Sequence, residues 1–159
     1  MSLGPPTIHA SCVSVRGRGI LIRGVPGAGK SSLVLALIDD PRRDAILVAD
    51  DRVALRRHDD HLVAAVPESL RGRVEVRGVG ILHRPFRPEA RVHLVVDLVA
   101  PADAPRIPEP SDAAAEIEGI ALPRLVLSAA GAENALRVRA ALPWAQVRVT
   151  LPPLALGDR

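Results

Sequence analysis

The segment GVPGAGKSS, which begins at Gly24, constrains the fold of this chain more than any other part of its sequence. The phosphate-loop pattern G-x-x-x-x-G-K-[ST] is matched by Gly24, Gly29, Lys30 and Ser31. The apolar run ILIR comes before the loop, and the apolar run SSLVLALI overlaps its end. Because such a loop binds phosphate through glycine amides and a helix N-terminus, the segment predicts a strand, a loop and a helix within an α/β fold.

We expect the loop to hold the phosphates of a nucleotide, with Lys30 reaching the β and γ phosphates and the Ser31 hydroxyl binding Mg²⁺. The residues predicted to form this site are Gly24, Val25, Pro26, Gly27, Ala28, Gly29, Lys30, Ser31 and Ser32. Lys30 is the only lysine in the chain, since every other residue of the 21 Lys and Arg is arginine. A chance glycine-rich turn is the alternative, and a sole lysine at the motif position argues against it.

Length and composition favour one domain. The chain has 159 residues, of which 48% are hydrophobic, and this suffices for a packed core. We predict a single domain over 1–159, with its core at about 8–142 and a tail over 143–159. The core must be aliphatic, because there is one Phe, one Trp and no Tyr. The net charge is +3, but arginines alternate with acidic residues and base-stacking aromatics are scarce, so no nucleic-acid binding is expected.

Cysteine usage and hydropathy bear on the compartment. Cys12 is the only cysteine, which excludes an internal disulfide and a multi-cysteine zinc site and fits a reducing environment. The N-terminus has no basic segment followed by a continuous apolar core, and no apolar run approaches the roughly 18 residues of a membrane helix. We therefore expect a cytoplasmic location and no membrane contact.

The elements around the loop are predicted from their periodicity. IHASCVSV, residues 8–15, pairs with ILIRG across the turn RGRG, so that a β-hairpin leads into the loop. A helix follows over 31–38 and ends before Pro41. AILVADD, residues 45–51, is a continuous apolar run, typical of a central strand buried on both faces. RVALRRHDDHLVAAV forms a second hairpin with a polar tip at His58–His61.

The second half of the chain is predicted to contain shorter and more irregular elements. The expected order is a loop or turn of helix, a strand from about Val74 interrupted by Gly78 and Gly80, a strand over 90–99, a proline-rich surface connection over 101–115, a last strand over 119–129 and a helix over 132–142. Leu136 and Val138 are expected to be partly buried in that helix. The tail from Pro143 either packs through Trp144 or is mobile.

Two adjacent carboxylates follow the strand AILVA. Asp50 and Asp51 lie about twenty residues after Lys30, where a Walker-B-like aspartate is usual. One of the two carboxylates is expected to hold the metal directly or through water, and the other to accept a proton from an incoming hydroxyl. The alternative is that one of the two is a helix cap or a surface charge.

Three segments together resemble one known family. IHASCVSVRGRGILIRGVPGAGKSS, then LVADDRVALRR, then VEVRGVGIL are similar, in order and spacing, to the C-terminal catalytic domain of HPr kinase/phosphorylase. The resemblance covers about residues 8–100, with a weaker match at GIALPRLVL. It implies a P-loop kinase domain of the type related to phosphoenolpyruvate carboxykinase, with a mixed sheet and a β-hairpin before the loop.

The resemblance also implies roles for individual residues. His9 would be the catalytic histidine, although the residue after it is Ala10 where the family usually has glycine. Asp51, the second of the pair, would be the base that takes the proton from the target serine, which leaves Asp50 for the metal. Glu75 would be a second metal ligand, and Arg77, Gly78 and Gly80 would shape the site around it. Without the resemblance, His9 would be a strand histidine satisfied by the backbone, and Glu75 would pair with Arg77. The remaining histidines, read as surface or loop residues, are His58, His61, His83 and His93.

The activity that the resemblance implies is an ATP- and Mg²⁺-dependent serine kinase acting on the phosphocarrier protein HPr or an HPr-like carrier. Because the chain starts almost at His9, we expect the short, single-domain form. LSAAGAENA stands where the family has an arginine-rich loop, so the phosphorylase direction, a homo-oligomer and the usual HPr contacts are left open. Two alternatives remain: a P-loop kinase or NTPase acting on a small molecule, and an ATP-sensing regulatory module with little turnover.

Overall fold

The computed structural model describes residues 4–147 of the chain. They contain ten strands and two α-helices, joined in part by three short 3₁₀ helices. The strands are β1 (Thr7–Val15), β2 (Arg18–Arg23), β3 (Ala45–Ala49), β4 (Arg52–His58), β5 (His61–Ala65), β6 (Arg73–Val76), β7 (Gly80–His83), β8 (Glu89–Val99), β9 (Ala114–Ile117) and β10 (Ile120–Ser128). The helices are α1 (Lys30–Ile38) and α2 (Asn134–Val147), and the 3₁₀ helices are Glu68–Leu70, Pro101–Asp103 and Pro110–Ala113.

Eight of these strands form one mixed sheet that closes on itself. Its order is β2-β1-β4-β5-β8-β10-β9, with β3 beside β1, and an additional pairing joins β2 to β8. The strands β2, β8 and β10 are parallel, and the other pairings are antiparallel. The strands β6 and β7 pair as a separate hairpin. The α/β class, the mixed sheet and the hairpin before the loop are therefore confirmed.

The two faces of β2 and β8 pack into different cores because side chains alternate along a strand. Ile20 and Ile22 join the core that lies against α1 and α2. Leu21 and Val95 join a second core inside the ring of strands, which also contains residues of β4 and β5. The helix α1 therefore sits on one face of the sheet, directly after the end of β2.

The strand β3 corrects one prediction. It was expected to be central, but β1 is its only partner among the described strands, and a single parallel bridge joins Leu47 to Phe86. Its apolar run has another cause: Leu47 packs into the core beneath the helices, whereas Val48 and Ala49 pack into the core inside the ring. Burial of both faces thus does not require a strand on both edges.

The C-terminal half departs from prediction at several points. The strand β9 pairs antiparallel with β10 and occupies residues assigned partly to the irregular connection. The helix α2 continues past the predicted end at residue 142 and contains Pro143. On it Leu136 is exposed and Val138 is fully buried, where both were expected to be partly buried. The predictions for the tail and for the packing of Trp144 lie outside the described residues and side chains.

None of the helices within residues 4–147 is both long enough and apolar enough to span a bilayer.

Candidate active site

The glycine loop has the backbone that its sequence requires. It joins the end of β2 to the start of α1, and Gly27 and Gly29 have φ angles of 82° and 97°. These lie in the left-handed region, where residues with a Cβ are strained. A Cβ on Gly24 would stand 3.0 Å from the Ala28 Cβ and 3.0 Å from the Leu98 oxygen. The loop conformation therefore depends on glycine at all three positions.

Lys30 is folded back over this loop. The residue is 6% exposed. Its Nζ donates to the carbonyl oxygens of Gly24 at 2.8 Å and Val25 at 3.0 Å. Burial lowers the pKa of the Lys30 ammonium, and the nearby carboxylates of Asp50 and Asp51 oppose that shift. The cation is thus positioned at the loop and lies near the two acidic residues that follow β3.

Asp50 is buried and surrounded by donors. The residue is 2% exposed. Its Oδ1 accepts a hydrogen bond from the Ser11 Oγ at 2.7 Å, and its Oδ2 accepts one from the Ser31 Oγ at 2.9 Å. The backbone N–H of Glu75 donates to Oδ2 at 3.2 Å. This carboxylate therefore joins β1, α1 and β6, and it fixes the serine of the loop.

Asp51 is oriented differently from its neighbour. Its φ is 71°, and 55% of its side chain is exposed. The Nδ1 of His9 lies 3.3 Å from the Asp51 Oδ1, while the His9 Nε2 is buried without a hydrogen-bond partner among residues 4–147. His9 thus contacts a carboxylate, and the alternative of a histidine satisfied by the backbone is wrong. Asp51 is left with an accessible carboxylate next to the loop.

The hairpin β6–β7 closes one side of the site. Glu75 is an exposed residue of β6, and Arg77 lies in the turn that follows. The alternative of a Glu75–Arg77 ion pair is not supported, because no such pair occurs within the part of the chain that the structure describes. Gly78 and Gly80 have φ angles of 83° and 115° and allow the tight turn, but they do not line the cavity.

A cavity of about 350 Å³ brings most of the predicted site residues together. This volume is within the range of about 300–1,000 Å³ that is usual for small-molecule sites. Its lining contains His9, Pro26, Gly27, Gly29, Lys30, Ser31, Ser32, Asp50, Asp51, Glu75 and Arg77, all of which the sequence indicated. Gly24, Val25 and Ala28 belong to the loop but do not line the cavity. The other four histidines, His58, His61, His83 and His93, lie outside it.

Three lining residues were missed by sequence reasoning: Ser11, Val76 and Ala130. Ser11 follows His9 by two positions on a strand, so the alternation of side chains could have placed both on the same face. Ala130 belongs to the segment LSAAGAENA, and its N–H donates to the Ala28 oxygen at 3.0 Å. No local signal indicated that contact, because it joins segments about a hundred residues apart in a pairing that only the sheet creates.

The side chains in the cavity that could bind a metal ion offer oxygen atoms. Within residues 4–147 there is no group of three or more His, Cys, Asp or Glu side chains that could hold a metal ion by itself. Ser31, Asp50 and Glu75 nevertheless face one cavity with hydroxyl and carboxylate oxygens. Mg²⁺ prefers such oxygens and commonly binds through one or two protein groups together with substrate phosphates. These residues therefore fit a Mg²⁺ ion that arrives with a nucleotide.

The fold and the site together define a class: an α/β domain with a P-loop motif at the junction of a strand and a helix. Comparison of the sequence with family profiles identifies the family. The profile of the HPr Serine kinase C-terminal domain matches residues 4–141, so the chain belongs to that family. The resemblance carried by the three sequence segments is confirmed.

Individual relatives agree with this assignment. The chain is 41% identical over 108 residues to the HPr kinase/phosphorylase of Halalkalibacterium halodurans, an alignment that covers 60% of this chain and 33% of that protein. It is 41% identical over 105 residues to the HPr kinase/phosphorylase of Geobacillus kaustophilus, with the same two coverages, 60% and 33%. The chain thus spans about a third of the length of these curated relatives.

A solved structure supports the fold over nearly the whole chain. The Hpr(Ser) kinase/phosphatase from Coxiella burnetii aligns over 91% of this chain and 92% of its own, with a TM-score of 0.76 and 27% sequence identity.

Proposed function

We propose that this chain is an ATP- and Mg²⁺-dependent protein kinase that phosphorylates a serine of HPr or of an HPr-like carrier protein. The observation that carries the proposal is the placement of Asp51. An accessible carboxylate contacts His9 and shares one cavity with Lys30 and the glycine loop. A loop that only bound nucleotide would not need an accessible carboxylate beside it, whereas transfer to a hydroxyl needs a base.

The donor half of the reaction would be built from the loop. The glycine-loop amides and Lys30 would hold the β and γ phosphates of ATP. Mg²⁺ would be held by the Ser31 hydroxyl, with Asp50 and Glu75 beside it, and would neutralise phosphate charge. Asp50 supports this by accepting the Ser31 hydroxyl proton in a hydrogen bond, which leaves the Ser31 oxygen lone pairs free.

The acceptor half would be Asp51 with His9. The seryl oxygen forms a bond to the γ phosphorus, the bond from that phosphorus to the β,γ-bridging oxygen breaks, and ADP leaves. The seryl proton passes to the Asp51 carboxylate. His9 contacts Oδ1 of Asp51, which would leave the second oxygen for the incoming hydroxyl. The location that fits such a carrier substrate is the cytoplasm.

The test compares Asp51→Asn with Asp59→Asn. Asp59 is a suitable control because it has a φ of 52°, also in the left-handed region, and is largely exposed at the turn between β4 and β5. The wild type and both variants are incubated with ATP labelled in the γ phosphate, Mg²⁺ and purified HPr from the same organism. We expect label on a serine of HPr with the wild type and with Asp59→Asn, and a loss of about 10²–10⁴-fold with Asp51→Asn.

Three outcomes would contradict the proposal. ATP hydrolysis that does not respond to HPr would favour a simple NTPase. Tight ATP binding without hydrolysis or transfer would favour a nucleotide-sensing module. Transfer to a small hydroxyl compound in place of HPr would keep the chemistry of the site and replace the acceptor.

A further inference from the structure

Ser11 lies opposite Asp50 across two neighbouring chain segments. The strands β1 and β3 are antiparallel, and Cys12 of β1 is paired with Ala49, the last residue of β3. The next step along both segments in the same register places Ser11 opposite Asp50. Directly opposed residues of an antiparallel pair have side chains on the same face, with Cβ atoms about 4.5–5.5 Å apart. The strand pairing therefore brings the Ser11 hydroxyl to the Asp50 carboxylate.

The hydrogen bond between these two residues is short and buried. Ser11 is 0% exposed and Asp50 is 2% exposed. The Ser11 Oγ donates to the Asp50 Oδ1 at 2.7 Å. A hydrogen bond from a hydroxyl to a carboxylate is stronger than one between neutral groups, and at a buried site water does not readily replace a lost donor. Removal of the Ser11 hydroxyl should therefore affect Asp50 directly.

Two donors hold the Asp50 carboxylate, one at each oxygen. Ser11 donates to Oδ1 at 2.7 Å, and the Glu75 N–H donates to Oδ2 at 3.2 Å. The Ser31 Oγ stands between the two oxygens, 3.0 Å from Oδ1 and 2.9 Å from Oδ2. A hydroxyl has one proton and two lone pairs. With its proton on the carboxylate side, the Ser31 oxygen turns its lone pairs away from Asp50 and towards the cavity.

Ser11 forms part of the cavity wall but is not itself suited to bind a ligand there. It carries no charge, and its hydroxyl proton is donated to Asp50. Without that donor, the carboxylate could rotate about its Cβ–Cγ bond, because torsions of this kind have broad minima. Residues that hold a metal ligand in place change metal affinity without touching the metal. The route from Ser11 to the cavity thus runs through Asp50 and Ser31.

We propose that Ser11 is a positioning residue for Mg²⁺ binding: its hydroxyl fixes the Asp50 carboxylate, which in turn keeps the Ser31 oxygen directed towards the ion. The proposal rests on the Mg²⁺-dependent nucleotide binding of the proposed function and not on the identity of the phosphate acceptor. Ser11 forms and breaks no covalent bond. Its effect should therefore appear in the binding of Mg²⁺ with nucleotide, even where no phosphate is transferred.

The experiment compares Ser11→Ala and Ser11→Thr with Ser14→Ala. Ser14 is a matched control because it lies on β1, is 1% exposed and does not line the cavity, and its Oγ has no hydrogen-bond partner among residues 4–147. Calorimetry measures the affinity for ADP at a series of Mg²⁺ concentrations and in EDTA. Phosphorylation of HPr gives kcat and the Mg²⁺ concentration for half-maximal rate. Thermal unfolding without nucleotide shows whether each variant is folded, and Ser11→Cys, with only a weak donor, takes the place of an unfolded Ser11→Ala.

We expect Ser11→Ala to raise the Mg²⁺ concentration for half-maximal ADP binding by about 10–100-fold, the loss typical of removing a residue that holds a metal ligand in place. The same increase should appear in the kinase assay, with a much smaller change in kcat at saturating Mg²⁺. Affinity for ADP in EDTA should stay at the wild-type value, since Ser11 would contact no phosphate. Ser11→Thr keeps the hydroxyl and should recover most of the Mg²⁺ response, and Ser14→Ala should behave as wild type.

An unchanged Mg²⁺ response in a folded Ser11→Ala would overturn the proposal. Equal losses of ADP affinity with Mg²⁺ and in EDTA would overturn it as well, because Ser11 would then act on the nucleotide or on the loop. So would an equal loss in Ser14→Ala, since any buried hydroxyl of β1 would then have the same effect. The proposed function fails separately: if the wild type does not phosphorylate HPr but its Mg²⁺-dependent ADP binding needs Ser11, the acceptor is wrong and the role of Ser11 stands.

Discussion

Asp97 offers the sharpest test of how the sheet supports the phosphate loop. It lies on β8 between Arg23 of β2 and Arg124 of β10, the three parallel strands of the sheet. Its Oδ1 accepts from the Arg23 Nε at 2.7 Å, and its Oδ2 accepts from the Arg23 Nη2 at 2.8 Å and the Arg124 Nε at 2.6 Å. Arg23 is the last residue of β2, so this cluster fixes the strand end from which the loop starts.

The substitution Asp97→Asn keeps the shape of the side chain and removes its charge. Breaking a buried ion pair usually costs about 3–5 kcal/mol, because the partner is left buried and unpaired. The side chains of Arg23 and Arg124 are 34% and 26% exposed. Water can therefore solvate part of each guanidinium when the carboxylate charge is removed. We therefore expect a loss of about 2–3 kcal/mol in the free energy of unfolding. For a chain of this size that corresponds to a fall in Tm of about 4–12 °C.

Glu89→Gln is the matched control. Its carboxylate accepts from the Arg56 Nη2 at 2.9 Å, but both side chains are about half exposed, 53% and 51%. Surface pairs of this kind contribute about 0–1 kcal/mol. Both variants remove a carboxylate charge, but Asp97 is more buried and accepts three hydrogen bonds from two arginines, whereas Glu89 accepts one. Asp97→Asn should therefore cost clearly more.

The pH dependence gives an independent check. Burial would raise the pKa of the Asp97 carboxyl, but the hydrogen bonds from Arg23 and Arg124 outweigh it and hold that pKa below its usual value. A carboxyl with a lowered folded-state pKa stabilises the fold at pH values above its unfolded pKa, about 3.9. The difference in Tm between wild type and Asp97→Asn should therefore be full at pH 7 and shrink as the pH falls below about 4.

Thermal unfolding by calorimetry between pH 3 and pH 7 measures both effects. Equal Tm losses for Asp97→Asn and Glu89→Gln at pH 7 would refute the reasoning. The free energy of desolvating the Asp97 carboxylate would then cancel the stabilisation from its hydrogen bonds. A Tm difference that stays constant down to pH 3 would refute the assignment of the effect to the ionised carboxylate.

Two further predictions concern the loop and the core. Gly24→Ala should weaken Mg²⁺–ATP binding at least tenfold in calorimetry, because its Cβ would meet the Ala28 Cβ and the Leu98 oxygen, both at 3.0 Å, whereas Gly4→Ala, whose Cβ would meet nothing within 4 Å, should bind as wild type. Burial raises the pKa of the Cys12 thiol to about 12. Cys12 should therefore resist iodoacetamide at pH 8 in the native protein and react only after denaturation, and rapid native labelling, followed by mass spectrometry, would contradict this.

Much of the fold near the loop could be predicted because its signals are local. The glycines that need left-handed φ angles, the apolar run of β2 and the start of α1 all fall within about fifteen residues of chain. The hairpins β1–β2 and β4–β5 have the same character, since each pairs neighbouring segments across a short polar turn. These are the parts in which a residue's nearest neighbours in sequence largely decide its conformation.

The errors occur where distant segments decide the outcome. The apolar run of β3 correctly indicates burial on both faces, but a one-dimensional pattern does not give the number of strands at its edges. Leu136 and Val138 lie two positions apart on α2 and therefore on different faces, and only the packing of α2 against the sheet fixes which one is buried. Ala130 reaches the cavity through a contact with Ala28 that no local spacing encodes, whereas the alternation of side chains along β1 could have placed Ser11 beside His9.

The adjacent aspartates show how the backbone can give identical side chains different surroundings. At Asp50 the chain leaves β3 with its carboxylate turned inward onto two serine hydroxyls and a backbone N–H. At Asp51 the positive φ of 71° turns the next carboxylate out of that network and towards His9. A left-handed residue other than glycine is uncommon, and such conformations concentrate at functional sites. Donors occupy the oxygens of Asp50, whereas 55% of the Asp51 side chain is exposed. This difference supports the proposal that Asp51 is the base and that Asp50 positions Ser31.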